Sequence, residues 1–548
     1  MPDCSSPERR TKLWCCRPRV KIALFCPVFP RLMPSLIAKL KILILAVVLL
    51  FAGIATNTAH GSGEWLRLSS EHFDLLSCAP ERESKILLIR LEQFRATFFA
   101  LFPQARTYYK RPYIIVFDSP EQFSAHLPLY KGKSRENVAG IFMESPVSSR
   151  IILQNATIFE GLRTVYHEYV HSLVAAMGLR PPLYINEGLA EVFSTFSSRR
   201  ETVSLGTAPS WHLRALRESK WLPFETVFTV DTNSPYYNET KHARMFYAQS
   251  WVFMHYIICG QNTGLMKADR LDVFTNLCET PGVSTADALQ QAFGLNQKKL
   301  SRTLKSYASG GRYTVVNRKV PVGSILKQIT SKPADSLEHE MELITVKGRT
   351  DRAHDAEFQL LQLSERNPKN PRIYELLAEV RAAGNNPAAA HEYWRKAVEN
   401  NSTNPLAYVW FLRSSREVEN SSLKRIMPGF VSTELRKLVD RALELAPDCM
   451  EAYELLAMIE SQSPEIRVEK INKVLEALSS MRHRSKTYHA LAIIYWRLKR
   501  YADAEAVIKV MSVDPRTDYK AKRAAREVLR EIARETGKPV PAPLPPKI

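Results

Sequence analysis

The clearest pattern of apolar and polar positions lies between residues 162 and 174. Its apolar residues recur at the three- and four-residue spacing that places side chains on one face of an α-helix. They are Leu162, Val165, Tyr166, Tyr169, Val170, Leu173 and Val174. Gly178 stands where helices commonly end, and Pro181–Pro182 prevents immediate continuation. Apolar positions within residues 184–193 predict a second, partly buried helix after a short turn.

Residues 64–155 show the shorter patterns of a mixed α/β region. Leu87–Leu101 has helical spacing, whereas Tyr113–Phe117 and Ile151–Leu153 are short apolar runs that predict buried strands. Strands that precede the helix at 162–174 predict a sheet followed by a covering helix. Residues 199–245 are polar, with Asn233-Ser234-Pro235 and few long apolar runs, so we expect a flap or loop there.

A helical repeat is predicted after residue 333. Pro371 and Pro405 lie 34 residues apart, and Pro447 and Pro515 lie 68 apart, which is twice that period. The spacing resembles that of tetratricopeptide (TPR) repeats, which implies an all-α solenoid over residues 334–535. Such a solenoid offers a concave face to a protein partner, although a helical array without a ligand is the alternative. Residues 311–333 would be a linker, and 536–548 a Pro-rich tail.

The N-terminal region, residues 1–59, is basic and contains an apolar run. Ile42–Ala55 follows Lys39 and Lys41, and its length is short for a bilayer span but typical of a signal peptide. We therefore expect a periplasmic or secreted protein. The alternative is an uncleaved anchor that associates residues 36–58 with the membrane. Met33 offers a more conventional start than Met1.

Charge and cysteine content narrow the classes of function. The formal net charge is +20, and no basic block is interleaved with aromatic residues, so no nucleic-acid site is predicted. Four of the eight cysteines precede the apolar run. None of the others has the paired spacing of a zinc knuckle, and a disulfide between Cys259 and Cys278 stays open.

The helix predicted at 162–174 carries the candidate chemistry. His167-Glu168-Tyr169-Val170-His171 is an HExxH sequence, and its histidines share one helix face, so both can reach one metal ion. Glu168 points about 100° around the helix, where it can touch water rather than the metal. Glu187, early in the returning helix, supplies a third ligand and leaves a fourth position open. These donors predict one catalytic Zn²⁺ per chain.

Glu191 lies one turn after Glu187. A carboxylate there can accept the free N–H of a ligating histidine, which fixes the tautomer of that histidine. The competing interpretation of Glu187 and Glu191 is a solvated, acidic helix face.

HEYVH followed by LYINEGLAEVF resembles the gluzincin zinc peptidases, and especially their bacterial peptidase MA-like branch. The resemblance spans residues 64–310 and implies an α+β, zincin-like metallopeptidase domain. It implies that His167 and His171 are the two histidine ligands and that Glu187 is the third ligand. It also implies that Glu168 is the general base and that Glu191 is the carboxylate behind a ligating histidine.

The same resemblance suggests two further features of the active site. Zinc peptidases of this type use a Tyr or His to stabilise the oxyanion. Tyr236, Tyr237 and Tyr247 are candidates, and Tyr247 is preferred because it lies in FYAQSW, which resembles a helix of that branch. Arg150–Gln154 would be the sheet-edge strand that pairs with an extended peptide, with an ordinary core strand as the alternative.

The sequence therefore predicts an exported zinc metallopeptidase, a hydrolase in which Glu168 acts as the base and Tyr247 assists. The TPR-like region would dock a protein substrate or partner. The alternative is a catalytically degenerate, peptidase-like scaffold whose repeats mediate protein–protein interaction in the cell envelope.

Overall fold

The computed structural model describes most of the chain after residue 63. The described ranges are 64–102, 111–127, 129–130, 133–134, 139–144, 148–177, 181–231, 233–238, 240–260, 270–278, 283–348, 353–384, 386–419, 425–478, 485–513 and 519–542. The expected signal segment, Gly178, Pro515 and residues 543–548 lie outside them. Within these ranges, no helix combines the length and hydropathy needed to span a membrane.

A mixed six-stranded sheet forms the centre of the first part. Its strands are β1 (Leu66–Ser69), β2 (Asp74–Ser77), β3 (Tyr113–Phe117), β6 (Gly140–Glu144), β7 (Ser149–Gln154) and β11 (Thr330–Pro333), in the order β11-β1-β2-β3-β7-β6. β2, β3 and β7 run parallel, and the other neighbours pair antiparallel. The predicted strands at 113–117 and 151–153 are confirmed.

The expectation that Arg150–Gln154 forms a sheet edge is wrong. β7 pairs with β3 on one side and with β6 on the other, so its backbone groups are already used. β6 precedes β7 in the chain and pairs antiparallel with it on the outer side. Gly140–Glu144 is therefore the edge strand at this end of the sheet.

Helices cover the sheet and build the rest of the first part. They are α1 (Glu81–Leu101), α2 (Pro120–Ala125), α3 (Ile158–Ala176), α4 (Leu183–Phe193), α5 (Ser210–Glu218), α6 (Phe224–Thr229), α7 (Pro235–Asn238), α8 (Thr240–Ile258), α9 (Leu271–Cys278), α10 (Thr285–Phe293), α11 (Gln297–Gly310) and α12 (Val322–Gln328). α1 includes the predicted helix at 87–101, and one apolar core joins α1, α3, α4 and α8 to the sheet.

Two stretches expected to be irregular contain regular elements. Residues 199–245 contribute the end of β8 (Ser197–Arg199), β9 (Thr202–Leu205) and helices α5 to α7. The linker at 311–333 contributes β10 (Val316–Lys319), which pairs with β9, and β11, which pairs with β1. Their partners lie more than one hundred residues earlier in the chain, so local composition gave no sign of these pairings.

Two smaller sheets complete the strand set. β8, β9 and β10 form one, and β4 (Leu129–Tyr130) pairs with β5 (Lys133–Ser134) in the other. Cys78, Cys259, Cys278 and Cys449 are free thiols, so Cys259 and Cys278 are not joined in this structure.

The second part of the described chain consists of helices. They are α13 (Ser336–Gly348), α14 (Ala353–Arg366), α15 (Pro371–Ala383), α16 (Pro387–Glu399), α17 (Pro405–Arg413), α18 (Arg416–Glu419), α19 (Gly429–Leu445), α20 (Met450–Gln462), α21 (Val468–Leu478), α22 (Ser485–Arg497), α23 (Tyr501–Val513) and α24 (Tyr519–Thr536). The chain is thus α+β in its first part and helical in its second.

Asn-Pro pairs start three of these helices. Asn370, Asn386 and Asn404 are the capping residues, and each side-chain oxygen accepts a backbone N–H of the first helical turn. The following proline occupies the first helical position, where the absence of an N–H costs no helical hydrogen bond. The 34-residue spacing of Pro371 and Pro405 therefore corresponds to two helix starts.

A buried ion cluster joins the sheet to the helical part. Arg150 on β7 is fully buried, and its guanidinium lies 2.6 Å from Glu379 of α15 and 3.1 Å from Glu342 of α13. Arg372 approaches Glu342 from the other side at 2.6 Å. Ser148 adds a hydroxyl that donates to Glu379. Buried charges are tolerated when they are paired in this way, and their positions fix the first helices against the sheet.

Replacing Arg150 should destabilise the protein strongly. Arg150→Ala removes the closer cation of Glu379 and leaves Arg372 as the remaining cation for both buried carboxylates, and breaking a buried ion pair in this way costs about 3–5 kcal/mol. We expect a large fall in the midpoint of thermal unfolding, measured by scanning calorimetry. Arg395→Ala is the control, because Arg395 forms only exposed ion pairs with Glu392 and Glu399. Equal midpoints for the two variants would contradict the structural role of the cluster.

Candidate metal centre

Helix α3 holds two imidazoles toward one point. Its apolar face, which includes Val165, Tyr169 and Val170, is buried in the core, and this anchoring fixes the rotation of the helix. His167 and His171 lie one turn apart on the more open side, with side chains 18% and 24% exposed. Their Nε2 atoms are 3.3 Å apart.

Helix α4 brings a carboxylate to the same point. Glu187 is buried, and its Oε2 atom lies 3.3 Å from His167 Nε2 and 3.6 Å from His171 Nε2. Among the described residues, this oxygen has no partner with hydrogen-bond geometry. Three donor atoms on two helices thus form one small triangle.

A glycine next to Glu187 permits this arrangement. A Cβ atom at Gly188 would lie 2.4 Å from the carbonyl oxygen of Ser250 and 2.5 Å from Cγ of Met254, both on α8. Only a residue without a side chain lets α4 approach α8 so closely. The close packing of α4 on α8 therefore sets the height of Glu187 relative to the histidines.

The triangle has the dimensions of a tetrahedral zinc site. Zinc bonds to nitrogen and carboxylate oxygen of about 2.0–2.2 Å place tetrahedral ligands roughly 3.3–3.6 Å apart. The observed separations of 3.3, 3.3 and 3.6 Å fall in this range. Two imidazoles and one carboxylate are also a donor set that zinc prefers, so the residues fit a three-ligand zinc site.

A second carboxylate supports His167 from behind. Glu191 Oε1 lies 3.4 Å from His167 Nδ1, on the ring edge that faces away from the triangle. The other oxygen of Glu191 lies 2.9 Å from Nε2 of buried His212 on α5 and 3.5 Å from the guanidinium of Arg163. That guanidinium stacks on Trp211, 3.7 Å from the ring centre. Glu191 is therefore held from two sides while it orients His167.

The charges of these groups depend strongly on one another. Burial alone would lower the pKa of His167, but the adjacent carboxylates of Glu187 and Glu191 outweigh burial and raise this pKa to about 10. Burial alone would raise the pKa of Glu187, yet the adjacent imidazoles of His167 and His171 hold this pKa at about 2. Glu191 keeps a pKa below its usual range, because the bonds to His167 and His212 outweigh burial. Both carboxylates are thus ionised at neutral pH, and they attract positive charge to this point.

Two tyrosines border the triangle. The Tyr237 hydroxyl donates to Glu187 Oε1 at 3.2 Å, and the Tyr247 ring stacks on Tyr237 with the ring centres 6.0 Å apart. Burial, followed by the negative charge of Glu187, raises the pKa of Tyr237. Glu168 itself is half-buried and stands outside the triangle. Tyr236 packs against the core.

The structure brings the donor triangle, Glu191, Tyr237 and Tyr247 together, whereas the nominated Tyr236 packs against the core. It adds Arg163 and His212, which the sequence analysis did not nominate. Tyr237, rather than the preferred Tyr247, makes the direct contact with Glu187. Tyr237 lies on the short helix α7, whose position brings the Tyr237 hydroxyl to the Glu187 carboxylate. Arg163 could have been found, since it precedes His167 by one helical turn. His212 could not, because its proximity to Glu191 arises from the packing of α5 on α8.

Comparison with known proteins places a family match on this centre. Residues 161–271 match the model of a family described as "Protein of unknown function (DUF1570)". The matched segment covers about one fifth of the chain and contains all the side chains of the triangle, together with Glu168, Glu191, His212 and both bordering tyrosines. No curated protein matches the chain.

Gly188→Ala should disturb the centre through packing alone. The added methyl group would meet the Ser250 carbonyl, so α4 and α8 must separate, and such overpacking costs about 1–3 kcal/mol. We expect a lower midpoint in thermal unfolding followed by circular dichroism. Gly310→Ala is the matched control, because its added methyl group has open space. An unchanged midpoint for Gly188→Ala would contradict the close approach of the two helices.

Proposed function

We propose that this chain is an exported, zinc-dependent metallopeptidase with a zincin-like domain at residues 64–310. The observation that carries the proposal is the donor triangle of His167, His171 and Glu187, whose dimensions and chemistry suit one zinc ion per chain. The sequence resemblance to gluzincins agrees with it. Export is proposed from the apolar run at 42–55, which lies outside the described residues.

The three donors would hold the zinc ion and leave its fourth coordination position for water or substrate. A zinc ion held by three protein ligands polarises a carbonyl group and lowers the pKa of water to about 7. Glu191 would keep His167 in the tautomer whose Nε2 lone pair faces the triangle, since its carboxylate would accept a hydrogen bond from Nδ1–H.

Glu168 is proposed as the general base. It lies on the turn of α3 between the two histidine ligands, is half-buried, and does not join the triangle. From there its carboxylate can accept a proton from attacking water and deliver it to the leaving nitrogen of the peptide bond. Tyr237, on which the Tyr247 ring stacks, would turn its hydroxyl hydrogen from Glu187 Oε1 to the developing oxyanion, and its raised pKa keeps the hydroxyl protonated at neutral pH.

The helical part is proposed to be a TPR-like docking region. The 34-residue interval between Asn-capped, Pro-initiated helices and the stacking of successive helices support it. The ion cluster around Arg150 would hold this region at a fixed position relative to the sheet, so a docked protein substrate or partner would meet the metal centre in one orientation.

Glu168→Gln should separate zinc binding from catalysis. The substitution removes the base but none of the three donors, so we expect normal zinc content and a loss of turnover by several orders of magnitude. Hydrolysis of fluorescein-labelled casein measures the activity, and elemental mass spectrometry measures the zinc. Activity equal to that of the unsubstituted protein would exclude Glu168 as base. A zinc-loaded, unsubstituted protein that hydrolyses no peptide would favour the scaffold function instead.

Glu191→Gln should weaken zinc binding without removing a ligand. Loss of a carboxylate behind a ligating histidine lowers metal affinity about 10- to 100-fold. We expect the decrease in a competition titration against a fluorescent zinc chelator. Glu434→Gln is the control, since Glu434 is an exposed carboxylate on α19 in the helical part. Unchanged affinity in Glu191→Gln would show that Glu191 does not support His167.

A further inference from the structure

A cavity of about 950 Å³ opens beside the metal centre. Tyr237 belongs to both, because its hydroxyl contacts Glu187 while the residue lines the cavity. Trp211, Leu222, Met245 and Tyr247 contribute the apolar wall. Glu191, which supports His167, lines the cavity as well, so the cavity borders the donor triangle through two residues that contact it.

Three cations surround the same cavity. Arg214 and Lys220 lie on or just after α5, Arg244 lies on α8, and all three are exposed. No carboxylate among the described residues is within ion-pair distance of any of them, although Glu218 also lines the cavity. The other lining acid, Glu191, is already engaged by His167, His212 and Arg163. The cavity therefore combines an apolar wall with unpaired positive charge at its margin.

We propose that this cavity is the specificity pocket of the enzyme and that it selects peptides in which a bulky apolar residue is flanked by acidic residues. The inference rests on the proposed peptidase function. The wall would bury the apolar side chain, and the three cations would attract the neighbouring carboxylates. A peptide flanked by lysines would bring like charges together, so the pocket discriminates by repulsion as well as attraction.

Binding can be measured separately from cleavage. The full chain carrying Glu168→Gln, supplied with zinc, is titrated into fluorescein-labelled peptides with a central Phe-Leu pair. The peptides differ only in their flanking residues, which are Glu, Gln or Lys. We expect the Glu-flanked peptide to bind about tenfold more tightly than the Lys-flanked one at low ionic strength. Added salt should reduce this difference, since the cations are exposed.

Charge reversal at the pocket should invert the preference. In the Glu168→Gln chain, the three further substitutions Arg214→Glu, Lys220→Glu and Arg244→Glu are expected to make the Lys-flanked peptide the tighter ligand. Arg244→Glu alone should shift the ratio of the two peptide affinities part of the way. Arg217→Glu is the matched control, because Arg217 is exposed on the same helix but does not line the cavity. Equal binding of the three peptides, or an unchanged preference after reversal, would overturn the proposed specificity.

Cleavage of the same peptides by the unsubstituted protein separates the two proposals. Cleavage without any preference for acidic flanks would leave the peptidase function in place and overturn the pocket assignment. Charge-dependent binding without cleavage would support the pocket as a binding site and overturn the peptidase function. Preferential cleavage of the Glu-flanked peptide would support both.

Discussion

The central constraint in this structure is that two imidazole nitrogens and a carboxylate oxygen are held within 3.6 Å of one another. The buried, ionised carboxylate of Glu187 requires positive charge beside it, which a protonated imidazole or a bound metal ion can supply. The surrounding fold maintains this contact. α3 is fixed by its apolar face, α4 is drawn down onto α8 at Gly188, and α5 supplies the imidazole that holds Glu191. Each of these packing contacts helps to position a side chain of the triangle or the carboxylate behind it.

Buried groups of opposite charge are also paired at the boundary between the sheet and the helices. Arg150 is followed in its strand by the apolar residues Ile151, Ile152 and Leu153, and nothing at that position in the sequence indicates a buried cation. Glu342 and Glu379 compensate it from helices that begin about two hundred residues later. Paired charges contribute less to net stability than apolar contacts of similar size, but they require one geometry. The cluster therefore determines how the helical part sits on the sheet.

The parts that could be predicted from sequence depend on short-range regularity. Helical spacing located α3 and α4, and the i, i+4 relation put His167 and His171 on one face. The length of the turn between the helices placed Glu187 correctly at their level. The β-strands at 113–117 and 151–153 were evident from apolar runs. The parts that could not be predicted depend on long-range pairing, which leaves no local signal. β11, the edge position of β6, and His212 against Glu191 are of this kind.

The zinc content of the purified protein tests the account most directly. Elemental mass spectrometry of the unsubstituted chain, beside Glu187→Ala, measures whether the triangle binds metal. We predict about one zinc per chain, with a sharp decrease in the variant, because only two donors then remain. Absence of zinc from the unsubstituted protein, even after reconstitution with excess zinc at neutral pH, would contradict the account and shift attention to the helical part.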